Sequence, residues 1–147
     1  MLKTKLLHPD ILQALASNGH GAQVLVADSN FPVMTNTPGS CQKVFLNLSP
    51  GVLTVIDVLK VIREFIPIER AVIMVPEDES RQPVHQDFLE ILGNETPVRG
   101  KKRHDFYQDV NSQATCLAIV TGESRRFANI LIVMGSLKPE DILSNNS

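Results

Sequence analysis

The chain has 147 residues, 43% of them hydrophobic and 20% charged, and a formal net charge of −2 from 14 Lys and Arg against 16 Asp and Glu. That length and composition predict an ordinary globular protein with one domain, spanning 1–147. The slightly acidic balance argues against nucleic acid as a partner, since that contact needs a basic face. The longest apolar runs, Ala71–Val75 and Ile130–Met134, are far shorter than the roughly 20 residues of a membrane-spanning helix. We therefore expect no nucleic-acid partner and no membrane segment.

The cysteines and the start of the chain bear on its compartment. Cys41 and Cys116 are the two cysteines, and they form no CxxC pair. Such spacing favours free thiols in a reducing compartment and predicts a cytoplasmic protein. The apolar stretch that a secretion signal needs is interrupted early, at His8-Pro9-Asp10, so we expect no such signal.

The first half of the chain predicts two helices and three strands. A Pro start and an Asn-Gly end predict a helix over 9–18, and the apolar, β-branched run Gln23–Ala27 predicts a buried strand that stops at an aspartate. Lys43–Leu48 is a second strand candidate. Leu53–Ile66 has an apolar stripe at helical spacing, and Arg70–Val75 predicts another buried strand.

The second half continues the alternation of helices and strands. Pro83–Leu92 predicts a helix stopped by a glycine, and the more ambiguous segment Arg103–Gln113 also favours a helix. Thr115–Thr121 and Asn129–Met134 predict strands, and the polar tail Ser144–Ser147 is expected to be frayed. Because buried strands need helices over both faces, the pattern predicts a three-layer α/β/α sandwich.

A histidine and an aspartate flank the first predicted strand. His20 stands between two glycines, which leave its imidazole uncrowded, and Asp28 ends the strand. Ligands of open α/β sheets bind outside the carboxyl ends of strands, so a carboxylate there is well placed to meet a substrate. We take His20 and Asp28 as candidate partners. The alternative is that His20 caps a helix and Asp28 only begins a turn.

A second polar edge follows later in the chain. Thr121-Gly122-Glu123 comes after a strand, and Phe127-Ala128-Asn129 stands at the head of the next one. These side chains offer hydrogen-bond donors and acceptors for a ligand. A plain loop between two strands explains the same residues.

Four short motifs in order resemble the ribose pyranase / fucose mutarotase family. They are GHG at 19–21, DSNFP at 28–32, R-x-x-F-Y at 103–107, and TGE followed by FAN over 121–129. The resemblance covers nearly the whole chain, and the R-x-x-F-Y element is more similar to the fucose mutarotase branch. It implies a ribose pyranase-like fold and an enzyme, a sugar isomerase that interconverts anomers or ring forms of a free sugar such as L-fucose or D-ribose. It also implies that no cofactor is needed.

The resemblance also implies roles for particular residues. His20 would act as the proton donor, Asp28 and Arg103 would hold sugar hydroxyls, and the Phe127-Ala128-Asn129 stretch would line the pocket. The family has Tyr where this chain has Phe127, so one phenol is missing, and Tyr107 is a candidate to supply it. The family's pocket is completed by a neighbouring subunit, which implies a closed, ring-like homo-oligomer.

The residue types suit that chemistry independently of the resemblance. Opening a hemiacetal ring needs one group to take the proton of the anomeric hydroxyl and another to protonate the ring oxygen. A histidine that titrates near neutral pH can do either, a carboxylate can orient it or bind hydroxyls, and an arginine can donate several hydrogen bonds.

Other functions have weaker support in the sequence. The four histidines, His8, His20, His85 and His104, have no metal-ligand spacing, so we expect no metal. The basic run Lys101–His104 could bind a phosphate, but a solvated loop explains it as well. Two further alternatives stay open, namely a monosaccharide-binding protein without turnover in transport or regulation, and a structural assembly protein in which His20 and Asp28 are idle.

Overall fold

The computed structural model describes residues 1–144 and forms a mixed six-stranded sheet with helices on both faces. Its elements in chain order are α1 (Pro9–Ser17), β1 (Gln23–Ala27), β2 (Gln42–Phe45), α2 (Val55–Ile62), β3 (Ile68–Met74), α3 (Pro83–Leu92), β4 (Val98–Lys101), α4 (Arg103–Val110), β5 (Thr115–Val120), β6 (Ile130–Met134) and α5 (Pro139–Ser144).

The strand order β2-β5-β1-β6-β3-β4 places one antiparallel strand inside an otherwise parallel sheet. β1 pairs with β5 in parallel and with β6 antiparallel, and β6 is also antiparallel to β3. The carboxyl ends of β1 to β5 therefore lie at one edge of the sheet, where β6 begins. This edge collects every loop that follows a parallel strand and the loop that leads into β6.

The two faces of the sheet carry two separate apolar cores, as the alternation of side chains along a strand requires. In β1, Val24 and Val26 pack with α1, α2 and α3, whereas Leu25 and Ala27 pack with α4 and with Phe31 from the following loop. Every residue of β1 is buried. The predicted three-layer α/β/α sandwich is confirmed.

Local sequence signals set the ends of α2 and α3, which pack on the same face of the sheet. α2 starts after the predicted Leu53, because Thr54 caps it from outside: its hydroxyl accepts from the Asp57 amide at 3.2 Å, and the Asp57 carboxylate accepts from the Thr54 amide at 2.9 Å. The helix ends at Ile62, before the predicted Ile66. α3 has the predicted bounds, with Pro83 in the first turn and a glycine after Leu92. β2 ends before the predicted Leu48, which is 84% exposed.

Two elements were absent from the sequence prediction. β4 is an edge strand that pairs only with β3, so its residues Arg99 and Lys101 need no apolar alternation. α5 is a short helix over Pro139–Ser144, and its residues 139–142 are exposed. The rest of the tail predicted to be frayed, 145–147, lies outside the described residues.

Gly122 is required by a close approach between two loops. The 49–53 loop crosses directly over it: the Gly51 amide donates to the Gly122 carbonyl at 2.6 Å, and the Gly122 amide donates to the Leu53 carbonyl at 2.8 Å. A Cβ atom at this position would collide with the carbonyl oxygens of Ser49 and Val52. Backbone atoms cannot swing away as a flexible side chain can, so the two loops would have to separate.

We predict that Gly122→Ala destabilises the protein by about 1–3 kcal/mol, the usual cost of overpacking a well-packed site. The matched control is Gly39→Ala, where nothing lies within 4 Å of the added Cβ. It should change the free energy of unfolding by less than about 0.5 kcal/mol. Urea unfolding measures both variants, and equal stabilities would contradict the assigned role of Gly122.

Candidate functional site

A cleft of about 420 Å³ opens at the edge of the sheet where the parallel strands end. Four segments contribute to its walls: the loop after β1, the end of β3, one face of α4 and the loop before β6. The lining residues are Asp28, Asn30, Phe31, Met74, Arg103, Tyr107, Arg126, Phe127 and Asn129. The carboxyl edge of a sheet is where open α/β folds bind ligands.

Asp28 is joined to the head of β6 by paired hydrogen bonds. Its amide donates to Asn129 Oδ1 at 2.8 Å, and Asn129 Nδ2 donates back to Asp28 Oδ2 at 3.0 Å. The Ala128 amide donates to the same carboxylate oxygen at 3.3 Å, and the Asn30 amide donates to Asp28 Oδ1 at 3.0 Å. The carboxylate is thereby held in one orientation at the floor of the cleft.

The electrostatics of Asp28 follow from its depth. The residue is 3% exposed, and burial raises the pKa of its carboxyl above the usual value, while the hydrogen bonds from Asn30, Ala128 and Asn129 offset part of that rise. The two oxygens offer about four lone-pair positions, and hydrogen bonds from Asn30, Ala128 and Asn129 take three of them, while the Phe31 amide is near enough to lower the pKa as well. A ligand hydroxyl can therefore still donate to Asp28.

Phe127 has an uncommon backbone conformation, with φ at +58°. Its carbonyl oxygen accepts a hydrogen bond from His85 Nε2 at 2.9 Å, and His85 Nδ1 accepts one from the Gln82 amide at 3.0 Å. Those two partners fix a neutral imidazole with its proton on Nε2. Burial lowers the pKa of the His85 imidazole, and the Phe127 carbonyl offsets part of this.

Sequence reasoning missed the role of His85. It treated the residue only as one of four possible metal ligands, whereas the structure buries it completely at the third position of α3. The local signal was its position two residues after Pro83, where a side chain can cap the helix start. Its contact with Phe127 bridges 42 positions of sequence, which no local pattern shows.

α4 brings a cation and a phenol into the cleft. Arg103 and Tyr107 are four positions apart and so share one face of the helix. The Tyr107 ring packs edge-on against Phe31, with centroids 5.3 Å apart. Among the described residues, the Tyr107 hydroxyl and the Arg103 guanidinium have no hydrogen-bond partner, so both are free to bind a ligand.

His20 lies at the opposite end of the sheet from this cleft. Gly21, which follows it, donates its amide to the carbonyl of Met134 at the end of β6, and His20 Nε2 lies 2.9 Å from Glu69 Oε1 in β3. β1 runs between His20 and Asp28 and alone spans about 13 Å at 3.3 Å per residue. The expectation that these two residues are partners is therefore wrong within one chain, and the carboxylate beside His20 is Glu69.

The Thr121-Gly122-Glu123 segment supports the cleft without lining it. Glu123 is 2% exposed and forms two hydrogen bonds of 3.0 Å with the Arg125 side chain. Burial raises the pKa of Glu123, but the hydrogen bonds and charge of Arg125 outweigh it and hold that pKa below its usual value. The Glu123 carbonyl accepts from the Ser29 amide and hydroxyl, which ties this segment to the loop after β1.

The remaining predicted features are distributed over the surface and the core. Ala128 is fully buried in the core beneath the cleft and contacts Asp28 only through its amide. In the basic run, Lys101 pairs with Asp109 at 2.7 Å, and His104 packs against Tyr107.

Among the described residues there is no group of three or more His, Cys, Asp or Glu that could hold a metal ion. The same part of the chain has no helix long and apolar enough to span a membrane.

The chain is similar in sequence to proteins that are named as sugar enzymes. It is 31% identical over 135 residues to the D-ribose pyranase of Variovorax paradoxus, covering 92% of this chain and 98% of that protein. It is 27% identical over 148 residues to the fucose mutarotase of Danio rerio, covering 92% of this chain and 93% of that protein.

A solved structure gives the same fold. Bacillus subtilis RbsD complexed with D-ribose superposes with a TM-score of 0.81 at 23% sequence identity, covering 94% of this chain and 100% of that chain. The model of the RbsD / FucU transport protein family matches residues 1–137. The resemblance seen in the four motifs is confirmed, and the chain belongs to the RbsD / FucU family.

Proposed function

We propose that the chain is a sugar mutarotase or pyranase, an isomerase that interconverts anomers or ring forms of a free monosaccharide. The observation that carries this proposal is the cleft itself. A buried carboxylate, Asp28, lies among unpaired donors and aromatic rings, which together suit the hydroxyls and the apolar C–H faces of a sugar. The named activities of the relatives in Variovorax paradoxus and Danio rerio support the same reading.

The reaction is an acid–base ring opening that needs no cofactor. A base takes the proton of the anomeric hydroxyl, the bond between the anomeric carbon and the ring oxygen breaks, and an acid protonates that oxygen. The open-chain carbonyl then rotates and is attacked by a hydroxyl of the same sugar, with the protons returned in reverse. Asp28, Arg103 and Asn129 bind the hydroxyls, and Phe127 and Tyr107 cover the ring.

The proton donor is His20 of a neighbouring subunit. Within one chain His20 is on the far end of the sheet, 60% exposed, and its closest carboxylate is Glu69. A head-to-tail contact between copies would bring this end against the next cleft, and heterologous contacts of that kind close into rings. Glu69, 2.9 Å from His20 Nε2, orients the imidazole so that its other nitrogen faces the sugar.

Several finer points belong to this proposal. The R-x-x-F-Y element at 103–107 is more similar to the fucose mutarotase branch of the family. A cytoplasmic location is supported by Cys41 and Cys116, both of which are free thiols.

A sugar-binding protein without turnover is the second candidate. In saturation-transfer NMR on equilibrated fucose and ribose, we expect exchange between ring forms above the uncatalysed rate. Binding in calorimetry with no added exchange on any sugar would contradict the isomerase and favour the binder.

The shared site is tested by mixing two inactive variants, His20→Ala and Asp28→Asn. Neither should catalyse exchange alone. When they are unfolded and refolded together in equal amounts, about a quarter of the sites in random rings pair an intact cleft with an intact histidine. The mixture should therefore recover about a quarter of the wild-type rate.

Recovery near zero would contradict a site shared between subunits, and so would light scattering that shows a stable monomer. Thermal unfolding checks that each variant is folded before mixing. If Asp28→Asn fails to fold, Arg103→Ala replaces it, because Arg103 is exposed and has no structural partner among the described residues.

We further predict that Tyr107 supplies the phenol that Phe127 lacks. It is the one tyrosine of the chain, and its hydroxyl is unpaired in the cleft. Tyr107→Phe should slow ring exchange about tenfold or more while its ring keeps the contact with Phe31. The double variant Tyr107→Phe/Phe127→Tyr returns a phenol to the cleft and should regain part of the rate. An unchanged rate in Tyr107→Phe would remove Tyr107 from the chemistry.

A further inference from the structure

A single peptide unit connects a buried histidine to the carboxylate of the cleft. The carbonyl of Phe127 and the amide of Ala128 belong to one planar trans peptide, so they point in opposite directions. The carbonyl accepts a hydrogen bond from His85 Nε2 at 2.9 Å, and the amide donates to Asp28 Oδ2 at 3.3 Å. The imidazole and the carboxylate are therefore the two ends of one hydrogen-bonded chain.

Both ring nitrogens of His85 are used inside its own chain. Nδ1 accepts a hydrogen bond from the Gln82 amide at 3.0 Å and so caps the start of α3. Because Nδ1 is an acceptor, the proton of the neutral ring is on Nε2, which donates to Phe127. The residue is 0% exposed, covered by its own chain, so these contacts do not depend on how subunits assemble.

The backbone of Phe127 needs a partner to stay in its conformation. A left-handed φ of +58° is unfavourable for a residue with a side chain, and it persists only where the surroundings fix it. His85 provides that partner at the carbonyl. Since the peptide is planar, any turn of the carbonyl away from His85 also turns the Ala128 amide away from Asp28.

The Ala128 amide helps to set the direction of the Asp28 carboxylate. Oδ2 receives this amide and the side chain of Asn129, and Oδ1 receives the amide of Asn30. In the proposed reaction Asp28 binds a sugar hydroxyl, and its direction therefore decides how the anomeric centre lies against His20 of the neighbouring subunit. A misplacement of about 1 Å in such a site can lower a rate about a hundredfold.

We infer that His85 is a positioning residue for ring opening: it fixes the peptide between Phe127 and Ala128 and, through that peptide, the Asp28 carboxylate that binds the sugar. His85 itself does not touch the sugar. The kinetic part of this inference rests on the proposed function, whereas the effect on Asp28 is measurable without any sugar.

Two substitutions separate the bond to Phe127 from the cap of α3. In His85→Gln, the amide nitrogen takes the place of Nε2 and can donate to Phe127, but nothing accepts from Gln82. In His85→Asn, the shorter side chain places its oxygen near Nδ1, so the cap remains and the donor to Phe127 is lost. The matched control is Val84→Ala, which removes buried packing from α3 and leaves both hydrogen bonds.

Ring exchange is measured by saturation-transfer NMR at saturating L-fucose and D-ribose, at a temperature where thermal unfolding shows every variant to be folded. His85→Asn should lower the rate about tenfold or more. His85→Gln and Val84→Ala should stay close to the wild-type rate, although both are less stable. If His85→Asn does not fold, His85→Met fills the volume without a donor and should show the same loss. A wild-type rate without the donor, or equal losses in the Asn and Gln variants, overturns the inference.

The second measurement is the pKa of Asp28, followed by carbon NMR of its carboxyl group. The Ala128 amide stabilises the ionised carboxylate and lowers this pKa, so the pKa should rise in His85→Asn and stay as in wild type in His85→Gln and Val84→Ala. The cleft cations, Arg103 and Arg126, are the same in all variants. An unchanged pKa in His85→Asn overturns the role of His85. Absence of exchange in the wild type on every sugar overturns the proposed function instead, and the pKa of Asp28 still decides whether His85 orients it.

Discussion

The paired hydrogen bonds between Asp28 and Asn129 are the constraint on which the cleft depends. They join the end of β1 to the head of β6 across 101 positions of sequence, and both residues are buried. In surroundings of low dielectric such bonds are strong, and leaving either partner unpaired is costly. They hold β6, the one antiparallel strand of the sheet, in register at the edge where the parallel strands end. The loop before β6 can then form a wall of the site.

The backbone of Phe127 is the second element of that wall. A left-handed conformation at a residue other than glycine costs of order 1 kcal/mol or more and persists where the surroundings fix it. Here His85 binds the carbonyl of Phe127, and Asp28 accepts from the amide of the next residue. Hydrogen bonds therefore fix both the carbonyl of Phe127 and the amide that follows it. The Phe127 ring and the Arg126 side chain stacked on it line the cleft.

The two ends of the sheet have different chemistry. One end carries the cleft with its deep carboxylate, and the other carries His20 beside Glu69 on an open surface. The His20 and Glu69 side chains are 60% and 48% exposed. Under the proposed function the two ends meet between subunits, and ring opening then depends on assembly.

The sequence by itself determined the elements whose signals are local. Gln23–Ala27 and Pro83–Leu92 were predicted with their observed bounds, because an apolar run and a Pro start with a Gly stop act within a few residues. Of the residues expected at a sugar pocket, five line the cleft, namely Asp28, Arg103, Tyr107, Phe127 and Asn129, whereas Ala128 is buried beneath it. Only the tertiary structure decided the strand order, the place of β4, the support that His85 gives to Phe127 and the separation of His20 from Asp28. These depend on contacts between residues far apart in sequence, and such contacts leave no periodic pattern in the segments that they join.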